Sequence, residues 1–233
     1  MAITDNLVLN IHANEGSGTT AADSSGNSNN GTLVGTIWDS TNKKLGASCL
    51  SLDGVDDDVT IANESNFDFE RTQAFSISGW FKYANTTSAS MVLFSKQDVS
   101  GAGYRGYDIH TVVTTNALRV ELISTYPSNY ISIVAGSGIN DALWHHFVVT
   151  YSGSSTAAGV KVYIDNVLKT KTVEADTLSA TMLNNVTPRL GSRISVQWWK
   201  GLRDEQAVWS REITAAEVAE LWNGGAGVEV GAA

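Results

Sequence analysis

Trp144-His-His-Phe-Val-Val-Thr-Tyr151, followed by Val160-Lys-Val-Tyr-Ile164 and the pair Asp165-Asn166, decides the fold of this chain. The first run is apolar at both sets of alternating positions, as a strand covered on two sides requires. The second alternates apolar and polar residues, the pattern of a strand with one buried face. Asp165-Asn166 fits a two-residue hairpin turn, because Asp and Asn tolerate the left-handed backbone that such turns need. The chain is then predicted to return along residues 167–173.

The same pattern extends in both directions. Phe75-Ser-Ile-Ser-Gly-Trp-Phe-Lys-Tyr83 puts Phe75, Ile77 and Phe81 on one face of a strand and Trp80 on the other. Residues 4–11, 32–38, 49–52, 91–95, 104–113, 118–123, 130–135 and 201–209 read as further strands. Between the first two lies a small, polar segment, residues 14–31, whose composition allows either a disordered linker or a tight loop. One helix is predicted. Thr214-Ala-Ala-Glu217 is a capping box, Val218, Leu221 and Trp222 form an apolar stripe, and Gly224 can end the helix in a left-handed turn. Residues 225–233 have little to bury and read as a flexible tail.

Composition agrees with many short strands joined by small polar turns. Among 233 residues, 42% are apolar and only 17% charged, with 21 glycines and two prolines. A single domain of this length buries enough surface to fold without disulfides, and with one cysteine, Cys49, no intrachain disulfide can form. Cys49 lies in an alternating run with no base or positive charge beside it in sequence, so it reads as a core residue and not as a catalytic thiol. The net charge of −9 excludes a nucleic-acid backbone as partner, since phosphate binding needs clustered Lys and Arg. No run approaches the 18 apolar residues of a membrane span. The first residues lack the basic start and apolar stretch of a signal peptide, so the expectation is a soluble chain made in the cytoplasm.

Five patterns in order sharpen this reading. They are Asp23-Ser-Ser-Gly-Asn-Ser-Asn-Asn-Gly31; Leu50-Ser-Leu-Asp-Gly-Val-Asp-Asp-Asp58; Phe75-Ser-Ile-Ser-Gly-Trp-Phe81; the stretch from Trp144 through Asp165; and Gly201-Leu-Arg-Asp-Glu205 with Trp209 and the helix behind it. Together they resemble the laminin-G-like and pentraxin-like branch of the concanavalin A-like lectin/glucanase superfamily. The resemblance covers about residues 5–224 and implies an all-β jelly roll of two antiparallel sheets, one concave and one convex, with a short C-terminal helix. The expected domain is 1–224. Such folds serve lectins, adhesion modules, enzyme appendages and virion proteins, so the fold alone does not give the function.

The resemblance also implies a structural Ca²⁺ ion held by Asp23, Asn27 and Asn29 of the early loop and by Asp204 late in the chain. Calcium takes six to eight oxygen ligands, which such residues supply. The competing reading is that Asp23 and Asn27 hydrogen-bond their own loop. Sugar rings stack on exposed aromatic faces, which makes Tyr104, Tyr107, Tyr126, Tyr130, Trp198 and Trp199 the candidate ligand contacts, with one of the two tryptophans expected in the core. The Glu-x-Asp-x-x-Glu carboxylate spacing of the related glucanases is absent, and no Ser or Cys pairs with His145 or His146, so no enzyme is expected. Two functions stay open, with a glycoside hydrolase or lyase a distant third that a pair of convergent carboxylates in a cleft would revive. One is a binding or adhesion module for glycans or a host-surface receptor. The other is a structural virion component, whether capsid decoration or phage tail, whose partners are capsid or tail proteins and whose place is the virion surface or the extracellular medium after lysis. Oligomeric state is left open.

Overall fold

The computed structural model describes residues 1–84, 89–99, 101, 103–194 and 196–231. In chain order the early strands are β1 (Leu7–Ile11), β2 (Thr20–Ala21), β3 (Gly31–Val34), β4 (Ile37–Asp39), β5 (Cys49–Asp53) and β6 (Asp58–Ile61). The middle strands are β7 (Phe75–Ala84), β8 (Val92–Gln97), β9 (Gly106–Thr111), β10 (Leu118–Thr125), β11 (Asn129–Ala135) and β12 (Asp141–Tyr151). There follow β13 (Val160–Ile164), β14 (Val167–Leu168), β15 (Lys171–Asp176), β16 (Arg189–Leu190), β17 (Lys200–Trp209) and the helix α1 (Ala215–Trp222).

These form two antiparallel sheets, a jelly-roll sandwich. One runs β14-β13-β12-β7-β17-β5-β4 with β1 added against β17; the other runs β15-β11-β10-β9-β8-β16-β6-β3-β2. The stretch that opened the reading is central, with β12 between β13 and β7. Phe147, Val149 and Tyr151 point into the main core, while Val148 points outward under α1. Both faces of β12 are therefore apolar for a physical reason. Asp165 and Asn166 adopt φ of 54° and 63°, the left-handed pair of a tight hairpin.

The return strand differs from expectation. Residues 167–173 do not continue one hairpin: β14 stops after two residues, and β15 then pairs with β11 of the opposite sheet. The chain changes sheets here, and alternation alone carries no mark of such a crossing. The polar segment 14–31 is an ordered loop, holding β2 and an antiparallel bridge from Asp23 to Ile11.

Beneath α1 lies a second apolar cluster of Val148, Ala207, Trp209, Val218, Leu221 and Val230. The capping box is made: Glu217 N–H donates to Thr214 Oγ1, and Glu217 Oε2 accepts from Thr214 N–H. Left-handed backbone begins at Asn223, one residue before the expected Gly224, which is also left-handed. The segment read as a flexible tail is docked through Gly231. Val230 is buried, Asn10 Nδ2 donates to its carbonyl, and Asn14 Nδ2 donates to Glu229. Two valines had more to bury than their glycine-rich surroundings suggested.

The core also holds a cation. Arg203 is fully buried between the sheets, donating to the Leu93 carbonyl and to Gln206 Oε1. Gln206 reaches it across Gly79, where a Cβ would collide with the Gln206 amide. No described helix is long and apolar enough to cross a membrane.

Candidate ligand-binding site

The nine-stranded sheet carries an unusually polar outer face. On β9, Tyr107 and Ile109 enter the core, so the alternate residues Asp108 and His110 point away from it. Glu121 on β10 lies directly opposite Asp108, and Arg119 opposite His110. Ser95 on β8 pairs with Asp108 from the other side. Period-two geometry thus brings these five polar residues from three strands into one patch.

Arg193, from the loop between β16 and β17, binds the patch together. It donates to Asp108 Oδ2 and lies 3.2 Å from His110 Nδ1, with Glu121 Oε2 at 3.7 Å. Burial opposes charge on Asp108, but Arg193 and His110 outweigh burial and hold its carboxyl below the ordinary range. On Glu121 burial wins and raises the carboxyl. Arg119 pairs with Glu174 at 2.8 Å.

A shallow pocket of about 250 Å³ opens over this patch. Gln97, His110, Arg119, Glu121 and Arg193 line its floor, and Tyr104 and Tyr126 its side. The tyrosines stand edge to face, with Tyr130 next in the row at 5.2 Å from Tyr126. Several buried polar atoms here have no hydrogen-bond partner within the described protein: both amide atoms of Gln97, Nε of Arg119, Nε of Arg193 and Oε1 of Gln197. Buried polar atoms are nearly always paired with protein, water or ligand, and these five belong to residues that line the pocket.

Of the six aromatic candidates, the structure gathers Tyr104, Tyr126 and Tyr130 and separates the rest. Tyr107 is buried, with its hydroxyl donating to the Phe67 carbonyl. It alternates with Asp108 and His110, and so faces the core. Trp199 is fully buried against Phe81, Tyr83 and Arg203, as expected for one of the pair. Trp198 is half-buried and does not line the pocket. The sequence reading missed Gln97, His110, Arg119, Glu121 and Arg193. Their signal was present as polar residues at alternate positions: Ser95 and Gln97, Asp108 and His110, Arg119 and Glu121.

The four residues expected around calcium share no hydrogen-bond partner across the two halves of the set. Asp23 accepts from Asn10, Ser25 and Asn29 backbone amides and from the Ser25 hydroxyl. Asn27 and Asn29 donate their side-chain amides to Leu7 and Val8 carbonyls. Asp204 accepts from the backbone amides of Lys44, Leu45 and Glu205. The loop residues act as side-chain braces of β1.

Three other clusters have metal-like spacing among the described residues. In Asp108–His110–Glu121 the guanidinium of Arg193 occupies the place of a cation. In His12–Glu205–Glu229 the Asn10 amide is fixed by its bond to Val230 and donates to His12 Nε2, so the imidazole proton sits on Nδ1, bonded to Glu205. Asp53, Asp56 and Asp57 gather at a turn, with Asp53 and Asp57 accepting backbone amides.

A family model described as the concanavalin A-like lectin/glucanases superfamily (Laminin_G_3) matches residues 53–219. No curated protein sequence matches. Among solved structures, the binding domain of Paraclostridial Mosquitocidal Protein 1 superposes with a TM-score of 0.70 at 15% identity, over 95% of this chain and 52% of that one. The botulinum neurotoxin serotype C1 binding domain gives 0.68 at 17%, over 95% and 52%. The botulinum neurotoxin DC binding domain, solved with rat synaptotagmin II, gives 0.69 at 16%, over 96% and 52%. This chain therefore spans about half the length of those it matches, and the likeness is one of fold. With the model covering most of its length, the chain belongs to the concanavalin A-like lectin/glucanases superfamily.

Proposed function

We propose that this chain is a non-catalytic binding module that holds a glycan on the outer face of its nine-stranded sheet. The observation that carries the reading is a pocket lined by Gln97, Arg119, Glu121 and Arg193 and walled by Tyr104 and Tyr126, beside buried polar atoms of Gln97, Arg119 and Arg193 that have no partner among the described residues. Sugar rings present an apolar face and a polar rim of hydroxyls, which this combination matches. The similar folds are binding domains of toxins, one of them solved in complex with rat synaptotagmin II, and this supports recognition of a partner molecule.

A second reading, glycan cleavage, draws on the opposed carboxylates of Asp108 and Glu121, whose surroundings push them apart in acidity. It is the weaker one. Asp108 is fully buried and held by Arg193, so only Glu121 reaches the pocket, and glycoside hydrolysis by this route needs two carboxylates at the sugar.

A glycan array with the purified protein tests the proposal, run in calcium and again in chelator, with released reducing ends measured in parallel. Specific binding without cleavage is the expected result, and loss in chelator would support the calcium ion expected at Asp23, Asn27, Asn29 and Asp204. Cleavage would favour the enzyme. Absence of all binding would return the reading to a structural particle component.

A further inference from the structure

We infer that the pocket selects a neutral, hydroxyl-rich glycan and rejects sugars bearing carboxylate, sulfate or phosphate. This rests on the glycan-binding reading above and goes on to name the ligand class.

Charge is the first ground. Two arginines lie at the pocket floor, and their presence would ordinarily suggest an anionic ligand. Each is already engaged: Arg193 by Asp108 with Glu121 nearby, and Arg119 by Glu174. On the same face, Arg189 is paired with Asp58 at 2.6 Å. An arriving carboxylate would compete with these anions and would meet Glu121 inside the pocket. The net charge of −9 adds repulsion at longer range.

Hydrogen-bond polarity is the second ground, and it is independent of charge. The unpartnered atoms at the pocket are mixed. Gln97 Nε2, Arg119 Nε and Arg193 Nε are donors, whereas Gln97 Oε1 and Gln197 Oε1 are acceptors. Ionised carboxylate, sulfate and phosphate only accept. Such a group could satisfy only the donors, and the amide oxygens would depend on hydroxyls elsewhere on the same sugar. A hydroxyl donates and accepts, and adjacent hydroxyls on a ring can serve Gln97 at both atoms at once. Leaving a buried polar group unpaired is what gives such sites their discrimination.

The test is direct binding to two panels of immobilised polysaccharide at 50 mM and 500 mM NaCl. The neutral panel is dextran, galactomannan and xyloglucan; the anionic panel is heparin, polygalacturonate and hyaluronate. The expected result is binding confined to the neutral panel and changed less than twofold by salt. Gln97→Ala, which removes one donor and one acceptor from the floor, should weaken that binding at least tenfold in a protein that still melts cooperatively. Binding confined to the anionic panel and lost at high salt would overturn the inference while leaving a glycan-binding module. Neutral binding unaltered by both Gln97→Ala and Glu121→Gln would also overturn it, by placing the site elsewhere. Failure to bind either panel, with a folded protein, would overturn the glycan reading itself.

Discussion

Tyr104 stands edge-on to Tyr126, with ring centroids 5.9 Å apart and planes at 90°. Both rings are nearly half exposed, at 44% and 46%, on a protein whose other tyrosines lie mostly deeper. An edge-to-face pair in solvent gains little for the fold, but it offers a fixed apolar wall to a ligand. Tyr104→Ala is therefore expected to weaken glycan binding by about five- to tenfold, equivalent to roughly 1 kcal/mol. Stability should change by no more than about 0.5 kcal/mol, as for an exposed position. Titration of the bound glycan and a melting curve, taken together, check both halves of the expectation.

Arg203 supports a sharper statement about stability. It lies over the Trp199 ring at 5.3 Å and the Phe147 ring at 5.8 Å, and burial pushes its guanidinium down to about 9. Its hydrogen bonds go to Leu93 O and Gln206, not to a carboxylate. Arg203→Ala would open a void between the sheets and strand both acceptors, costing about 3 kcal/mol or more. Arg203→Met refills the space with an apolar chain and should recover at least half of that loss. Urea unfolding of the two variants decides the matter: equal losses would mean that the bonds to Leu93 and Gln206, and not the packing, hold the sheets at this point.

How much of this was legible can be judged from particular strands. Phe75, Ile77 and Phe81 against Trp80 were assigned to their faces correctly, because alternation reports burial directly. The capping box at Thr214 was equally plain, being a local signature. The ligand patch was harder for two reasons. Aromatic residues drew attention to Tyr107, although its neighbours Asp108 and His110 are the ones that face out. The patch itself is assembled from β8, β9, β10 and a loop whose Arg193 lies 85 residues beyond Asp108, and only strand order places Arg193 over Asp108. The crossing from β14 to β15 was hidden for the same reason: a two-residue strand and its successor read as one run.

The C-terminal segment gives the third prediction. Val228 and Val230 pack beneath α1, and Gly227 lies against Trp80, where a Cβ would come within 3.2 Å of the indole nitrogen. Removing residues 226–233 exposes the apolar surface around Trp80 and Val218. At about 25 cal/mol per Å², the loss should be roughly 2–3 kcal/mol, lowering the melting temperature by about 5–10 °C. A truncated protein that melts with the full chain would show that this segment adds no net stability.

His146 contributes a pH dependence of its own. It is buried against Trp80 and Trp222, with ring centroids 5.0 Å and 6.4 Å away, and burial pushes its pKa down to about 3. In the unfolded chain it titrates near 6.5. Between these values the unfolded state holds a proton that the folded state does not. Stability from this group is thus full above about pH 6.5 and falls on acidification, by up to about 1.4 kcal/mol per pH unit. Asp204 and Glu205 act in the opposite sense. Burial pushes both up to about 7, so the folded state binds their protons first and gains stability as pH falls from about 7 toward 4. The wild-type profile mixes these effects, but His146→Gln removes only the first. Urea midpoints of the two proteins at pH 7.5, 6 and 5 should show the wild type losing about 1 kcal/mol relative to the variant between pH 6 and pH 5. A constant difference across that range would mean that His146 takes up its proton alike in the folded and unfolded chains, and that the space beneath α1 admits water.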